Sequence, residues 1–588
     1  MNYTLNKTKE QLDQKTGTLA GLTKLWPLLA VEKKNIGLAF IAMLVNSGLN
    51  LAAPILMGQA IDRFIVTKQF GGVVVYAGIL LGMYLVSLVA AYLQTIIMGG
   101  VGQRTLFNLR SKIFMKLQSL PVAFFNQNKA GDLISRINND TDKLNQFFSQ
   151  ALVQFVANLF MMVGAGIFVI SINPRLGTAA LAPAAFLLVF TQLASPWIKK
   201  QNALSLKSIG GLSAEIQESL NNFKAIIAFN RRDYFRQKFN SVNQDTYTTG
   251  VRAGMVNTVF LTPLYGFASN VAQLIVLAYG IYLITTGEFT MGLLISFLSY
   301  LIRFYDPLRH IASLWSSFQI ALASWDRISD IVSLESNLPV IPATISTTEP
   351  GILAFKDVSF GYPDGKEVLH KINFVLEPGK TYALVGPTGG GKTTTASLMA
   401  RLYDPTTGTV FLSGKDIRCY ADSERVKKIG FILQEPFLFT GTVADNILYG
   451  NEEHAGMGNE KLTELLTAEG LESLLTRFEQ GVDTKISASG DSISLGQKQL
   501  IAFIRAVLRK PELLVLDEAT ANIDTITEQL LEEILKKLPA TTTKVIIAHR
   551  LNTIENADEI FFINSGEITR AGSLDHAVAM LMQHKRES

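Results

Sequence analysis

Two stretches of the chain carry no charge across a bilayer's width, one between Lys68 and Arg104 and one between Arg252 and Glu288. A membrane-spanning helix needs about 20 apolar residues. Six segments meet that length, near Ile36–Ile61, Val73–Met98, Phe147–Ile172, Leu176–Ile198, Met255–Leu283 and Met291–Phe318. They predict an all-α polytopic membrane domain over residues 1–332. Ahead of the first span, Leu19, Leu22, Leu25, Trp26 and Leu29 recur at helical spacing, with Lys24, Lys33 and Lys34 nearby. A helix near residues 18–30 would lie along a membrane surface or dock as an ordinary soluble helix. After Trp325 the chain turns amphipathic, and residues 333–350 read as a linker holding Pro339, Pro342 and Pro350. From Gly351 the pattern changes again. Phe355 to Phe360 alternates like a strand. Tyr382–Val385, Ile429–Leu433, Leu513–Leu516 and Val545–Ala548 are short apolar runs of the kind buried inside a parallel sheet. Helical patterns follow at Thr393–Leu402 and Lys498–Leu508. Residues 351–588 therefore predict an α/β domain, which makes the chain multi-domain.

Charge adds orientation to this picture. The segment from Arg104 to Lys143 holds seven basic residues and that from Lys199 to Arg252 holds nine, while the opposite connections hold few. Basic loops stay in the cytoplasm. Both termini and the α/β domain are expected there, in a multi-pass protein of the cytoplasmic (inner) membrane. The two basic segments stay helical in pattern, one through Phe124, Phe125 and Gly131 to Asp140, the other from Ser213 to Phe229. Either they continue the spans and carry a short helix at each tip, or they are solvated connectors. In the sixth span Arg303, Asp306 and Arg309 fall on one helix face, where each can pair with its neighbour. Charges at that depth usually face a cavity or a partner. A formal net charge of +4 over 588 residues gives no reason to expect a nucleic-acid partner, and the single cysteine, Cys419, excludes an internal disulfide or a multi-cysteine metal site. The polar N-terminus has no secretory h-region.

The chemistry concentrates in Gly386-Pro387-Thr388-Gly389-Gly390-Gly391-Lys392-Thr393, the spacing of a P-loop. Between a buried strand and a helix, such a loop aims backbone N–H groups and a positive helix end at a polyphosphate. Thr394 belongs to the same first helical turn. Lys392 is expected on the outer phosphates and the Thr393 hydroxyl on Mg²⁺. Three further polar residues end apolar strands: Gln434, Asp517 and His549. In open α/β sheets ligands bind at the carboxyl ends of the strands. Gln434 there can reach the metal or an attacking water, and Asp517 can orient Mg²⁺. Glu518, next in the chain, is placed to act as general base. Ser494 and Gly496 open the helix that begins near Lys498 and form a second anion site. Tyr362, at the end of the first strand, would stack on a purine ring or simply fill the core.

The order of these motifs resembles the ATPase of ABC transporters. By that resemblance Tyr362 is the A-loop aromatic, Gly386–Thr393 the Walker A loop, Gln434 the Q-loop, and Ile493–Gln497 the signature. Leu513–Asp517 is the Walker B strand, Ala521–Asp524 the D-loop, and His549 the switch histidine. The six-span half, with Phe124-Phe125 and Gly131-Asp132-Leu133-Ile134-Ser135-Arg136, is similar to exporters with a fused membrane domain. The resemblance covers nearly the whole chain and implies ATP and Mg²⁺ as cofactors. It also implies a second half-transporter, so that each ATP lies between one chain's Walker A and the other's signature, contacted by Ser494, Gly496 and Gln497. The two basic segments would be coupling helices docking on the ATPase domains. Leu495 stands where the family has glycine, Ala488 where exporters commonly have Glu, and the D-loop is atypical. Such a chain resembles the catalytically competent subunit of a heterodimeric exporter for drugs or lipids. A homodimeric lipid exporter, an ATP-gated channel and a regulatory subunit are the alternatives. A peptide-processing transporter would need a cysteine protease that Cys419, inside the ATPase domain, cannot supply.

Overall fold

A computed structural model describes residues 3–5, 25–27, 30–255, 259, 262–336, 338–342, 351–363, 365–434, 436–487, 493–517, 525–547, 555–573 and 575–580. The chain divides into two compact units. One comprises Thr8–Gln118 with Gly131–Ser333; the other comprises Leu334–Ser588 with Ser119–Ala130 and Met1–Lys7. Most of the expected helix at 18–30, and Pro350 of the linker, lie outside the described residues.

The first unit is helical: α1 (Lys33–Ala60), α2 (Phe70–Gln118), then α3 (Val122–Gln127) leading into the other unit, a continuous helical run α4 (Ala130–Ile172), α5 (Pro174–Asn221), α6 (Phe223–Ala228), α7 (Arg232–Met255), α8 (Thr262–Thr285) and α9 (Met291–Val332). Among the described residues five helical segments can cross a membrane by length and hydropathy: Lys33–Ile65, Phe70–Gln118, Ala130–Ile172, Pro174–Asn221 and Pro263–Thr285. The expected count of six is therefore met by five on these grounds. The remaining helix, α9, is 42 residues long, but Arg303 and Asp306 interrupt its apolar run after Ile302. The ion pairs expected on that face are also absent. Among the described residues neither Arg303 nor Arg309 lies within ion-pair distance of Asp306.

Small residues set how closely these helices pack. Ala165 of α4, Ala180 and Ala184 of α5 and Ala268 and Ala272 of α8 are buried in one core with Phe297, Tyr300 and Tyr305 of α9. At Gly58 of α1 and Gly292 of α9 the two backbones touch: a Cβ on Gly58 would sit 2.6 Å from the Gly292 carbonyl oxygen. Asp62 fixes this corner, accepting from the Gly292 N–H at 2.7 Å and the Thr290 hydroxyl at 2.6 Å. Three hydroxyls in this helical unit bond to backbone carbonyls of neighbouring helices. Tyr305 donates to the Ala180 carbonyl at 2.8 Å, Ser296 to that of Pro54 at 2.7 Å, and Tyr300 to that of Leu51. At the start of α4, Arg327 of α9 lies 2.7 Å from Asp132 and 3.2 Å from Asp140, and Arg136 lies 3.0 Å from Asp132. Asp140 is almost fully buried and also meets Lys143 at 3.1 Å. Its Oδ2, although 3.2 Å from Arg327, has no hydrogen-bond partner. That contact is ionic and poorly aligned.

The second unit holds the sheets. Strands β1 (Leu353–Gly361), β2 (Glu367–Leu376), β4 (Thr407–Leu412) and β5 (Lys415–Asp416) form an antiparallel sheet in the order β2-β1-β4-β5. A six-stranded sheet runs β12-β11-β3-β10-β9-β6, built from β3 (Thr381–Val385), β6 (Ile429–Ile432), β9 (Leu513–Asp517), β10 (Thr543–Ile547), β11 (Glu559–Asn564) and β12 (Glu567–Arg570). Five of these strands are parallel and β12 is antiparallel, while β7 (Gly441–Thr442) and β8 (Lys485–Ile486) pair apart as a short antiparallel ribbon. The central strands are buried along their length, as their unbroken apolar runs require. A core of Phe355, Leu369, Phe374, Leu384, Val515 and Phe561 lies between the sheets. A second core, on the far side, packs α11 (Leu495–Val507) and α12 (Thr525–Lys536) through Phe503, Ile504 and Leu531. The tip helix α3 belongs to this unit. Phe124 is fully buried, edge-on to Tyr3 with centroids 6.3 Å apart, and Gln127 accepts from the Tyr3 N–H at 2.7 Å.

Candidate nucleotide-binding site

Strand β3 delivers the glycine-rich loop to the carboxyl edge of the six-stranded sheet, and α10 (Lys392–Met399) leaves from it. Three of its glycines are conformationally required, since Gly386, Gly389 and Gly391 have φ of 153°, 83° and 113°. Gly390 is required for space: a Cβ there would lie 2.7 Å from the Ile563 carbonyl oxygen of β11. The loop is thus pressed against the end of β11, and a cradle of backbone remains above it. Lys392, almost fully buried, donates from Nζ to the carbonyls of Gly386 at 2.8 Å and Pro387 at 3.0 Å. Its charge is therefore held over the loop where a polyphosphate would lie.

The Thr393 hydroxyl is exposed and donates to the buried carboxylate of Asp517 at 3.2 Å. Two oxygen ligands from neighbouring elements suit a hard divalent cation such as Mg²⁺. Asp517 ends β9 level with Ile547, which ends β10. Gln434 lies two residues beyond the end of β6, exposed on the same edge. The structure therefore brings together Gly386 to Thr394, Gln434 and Asp517. Glu518, His549, Ala488 and the D-loop Ala521–Asp524 lie outside the described residues.

Tyr362 is half-buried, edge-on to Phe360 at 5.0 Å and to Tyr403 at 5.6 Å. Its hydroxyl lies 3.1 Å from that of Thr394 in the first turn of α10. That contact ties the aromatic to the phosphate loop. Tyr403 itself was not legible as a site residue. Burial pushes its hydroxyl pKa up, and it accepts a hydrogen bond from Asn126 of α3 at 2.7 Å. Asn126, Tyr403, Tyr362 and Thr394 thus form one chain of contacts from the tip helix to the phosphate loop.

The second anion site expected from the sequence falls at the start of α11, which begins three residues earlier than its apolar pattern predicts. Ser494 is the N-cap, and a Ser-x-x-Gln capping box explains the shift. The Ser494 oxygen accepts from the Gln497 N–H at 3.2 Å, and the Gln497 side chain accepts from the Ser494 N–H at 2.7 Å. Gln497 also donates to the Arg477 carbonyl at 2.6 Å, so its side chain serves the cap. Ser494 keeps its hydroxyl proton to donate. Leu495 is the first helical residue and its side chain is 40% exposed beside that cap. Gly496 packs under α12, where a Cβ would come 3.1 Å from Thr527.

Residues 36–308 match the family described as the ABC transporter transmembrane region, and residues 369–521 match the ABC transporter family. The chain is 33% identical over 566 residues to "Uncharacterized ABC transporter ATP-binding protein YfiC" of Bacillus subtilis, covering 95% of this chain and 92% of that one. It is 31% identical over 527 residues to "Fatty acid ABC transporter ATP-binding/permease protein" of Mycobacterium tuberculosis, covering 90% and 81% of the two chains. It is 29% identical over 548 residues to "Multidrug resistance ABC transporter ATP-binding and permease protein" of Lactococcus lactis, covering 92% and 90%.

Proposed function

This chain belongs to the ABC transporter family, its transmembrane region and ATPase domain fused in one polypeptide, and we propose that it works as one half of a heterodimeric exporter of hydrophobic or amphipathic molecules. As a family member it is a membrane protein that binds ATP and couples ATP hydrolysis to transport. The finer reading places it in the cytoplasmic membrane with both termini inside, oriented by the two basic segments. Relatives named for fatty-acid and multidrug transport support an amphipathic substrate.

In this reading the loop from Gly386 to Gly391 wraps the phosphates with backbone N–H groups, and Lys392 moves from its own loop carbonyls onto the outer phosphates. Tyr362 supports the base. Thr393, Gln434 and Asp517 would hold Mg²⁺, which supplies charge neutralisation on the phosphate oxygens when bound. Glu518 takes a proton from the attacking water and His549 holds the attacked end of the nucleotide.

The observation that carries the asymmetry is Leu495. Its backbone is ordinary helix, so leucine is tolerated conformationally, yet its exposed side chain stands at the anion-binding helix end. A partner's ATP closing on Ser494 meets a branched side chain where glycine leaves room. The site made by this chain's signature then hydrolyses poorly. The site made by this chain's Walker motifs needs a partner with an unaltered signature.

ATPase assays on the chain alone and co-assembled with a half-transporter bearing the usual signature test this. Alone, it should turn over slowly. In the pair, Glu518→Gln should silence turnover through kcat, and Leu495→Gly should change it only modestly. Full substrate-stimulated ATPase activity from this chain alone, as a dimer, contradicts the heterodimer.

A further inference from the structure

In the membrane unit a cavity of about 450 Å³ lies between α4 and α9, within the size range of small-molecule sites. Ser299, Arg303, Asp306 and His310 of α9 line it opposite Asn158 of α4, with Met161, Ile302 and Pro307 as apolar wall. From Met291 at 1.5 Å per residue, Arg303 and Asp306 lie roughly 18 and 22 Å along the helix. In the orientation proposed above, both are within the inner half of a hydrocarbon core about 30 Å thick. Ionisable residues at that depth face a bundle cavity and normally pair. These two are three residues apart on one helix, yet neither has an ion-pair partner within 4.0 Å among the described residues.

One positive and one negative group, side by side and unjoined, are electrically complementary to a ligand with the same two charges separated in the opposite order. A purely anionic amphiphile would satisfy Arg303 and meet Asp306 as a like charge. A purely cationic one would do the reverse. We propose that this cavity is the substrate headgroup site, and that it takes an amphiphile with a zwitterionic headgroup, its anionic group on Arg303 and its cationic group on Asp306. The Asn158 side-chain amide adds a hydrogen bond at the anionic end. Met161, Ile302 and Pro307 receive the start of the apolar tail. The inference rests on the export reading for its biological meaning but not for its physical content, since binding at this site requires neither ATP nor transport.

The test uses the assembled transporter and three single-chain amphiphiles of one tail length: an alkylphosphocholine, a fatty acid and an alkyltrimethylammonium. Competition against a fluorescent alkylphosphocholine, without ATP, gives the order of affinities. The wild-type protein should prefer the phosphocholine to either singly charged compound by about tenfold, one charge-assisted contact's worth. Arg303→Gln should move the preference toward the ammonium, and Asp306→Asn should move it toward the fatty acid. A ratio of affinities does not depend on how much of each variant folds. Two variants that leave the order unchanged, or that shift it in the same direction, overturn the proposal, as does loss of dimer assembly with selectivity intact. Opposite shifts without ATP-driven movement of the phosphocholine would sink the export reading and leave the site standing. Transport with no shift would do the opposite.

Discussion

Replacing Tyr403 by Phe removes one hydroxyl and leaves the ring in place between Phe360 and Tyr362. The lost contact is the 2.7 Å hydrogen bond from Asn126, which joins the tip helix α3 to the aromatic beside the phosphate loop. A neutral hydrogen bond contributes about 0.5–1.5 kcal/mol net. Asn126 is exposed and regains water when released. The loss is then about 1 kcal/mol, or roughly fivefold in the equilibrium between docked and released α3. The ring still supports Tyr362, so ATP affinity should hold. The assay is ATPase turnover with and without a transported amphiphile, read beside the KM for ATP. Tyr403→Phe and Asn126→Ala should each cut substrate stimulation several-fold at unchanged KM, and the double variant should add little to either. Tyr403→Ala, which removes the ring under Tyr362, should raise KM as well. Full stimulation in Tyr403→Phe, or a double variant whose losses simply add, would refute the link.

Three other substitutions probe the scaffold. Asp140→Ala leaves Arg327, 39% exposed, with Asp132 as its remaining ion-pair partner, and leaves Lys143, 43% exposed, to rehydrate. The cost should be about 1–3 kcal/mol, below the 3–5 typical of a fully buried pair, and a cycle with Arg327→Ala in thermal-unfolding assays should show favourable coupling. Gly391→Ala places a Cβ at φ 113° and 2.7 Å from Leu369 Cδ2, costing about 1–3 kcal/mol; nucleotide-binding titration should show much weaker ATP affinity. The N–H and hydroxyl of Thr442 hold the Asp445 carboxyl below the ordinary carboxylate range. A depressed folded pKa stabilises above the unfolded value of about 3.9 and is lost as pH falls through the lower folded value. Asp445→Asn should therefore flatten the acid limb of the pH–stability curve.

The parts legible in the sequence share a cause: their chemistry depends on local order along the chain. Gly386 to Thr393 is one contiguous motif between a buried strand and a helix, and the runs ending at Asp517 and near Gln434 proved to be neighbouring parallel strands. The parts that were not legible depend on what comes close in space. Tyr403 reads as an ordinary aromatic until α3 puts Asn126 against it. The early start of α11 was readable in principle from Ser494 and Gln497, but the apolar period alone points to Lys498. Of the expected face Arg303-Asp306-Arg309, Arg303 and Asp306 line one cavity and Arg309 is not among its lining residues. The pairing on that face was not legible, because spacing fixes which residues share a side and leaves rotamers and cavity walls undetermined. Hydropathy likewise blurs at α9, where the same charges weaken the signal of the sixth expected span.

Transport itself gives the most direct measurement. The assembled pair is reconstituted in vesicles with the ATPase domains facing out, and uptake of a fluorescent amphiphile is followed with ATP, with a non-hydrolysable analogue, and in the Lys392→Ala and Glu518→Gln variants. An ATP-driven exporter concentrates the amphiphile inside only with hydrolysable ATP and loses that ability in both variants. Downhill movement that continues with the analogue or in Glu518→Gln, never exceeding equilibrium, would instead mark an ATP-gated channel and contradict the account.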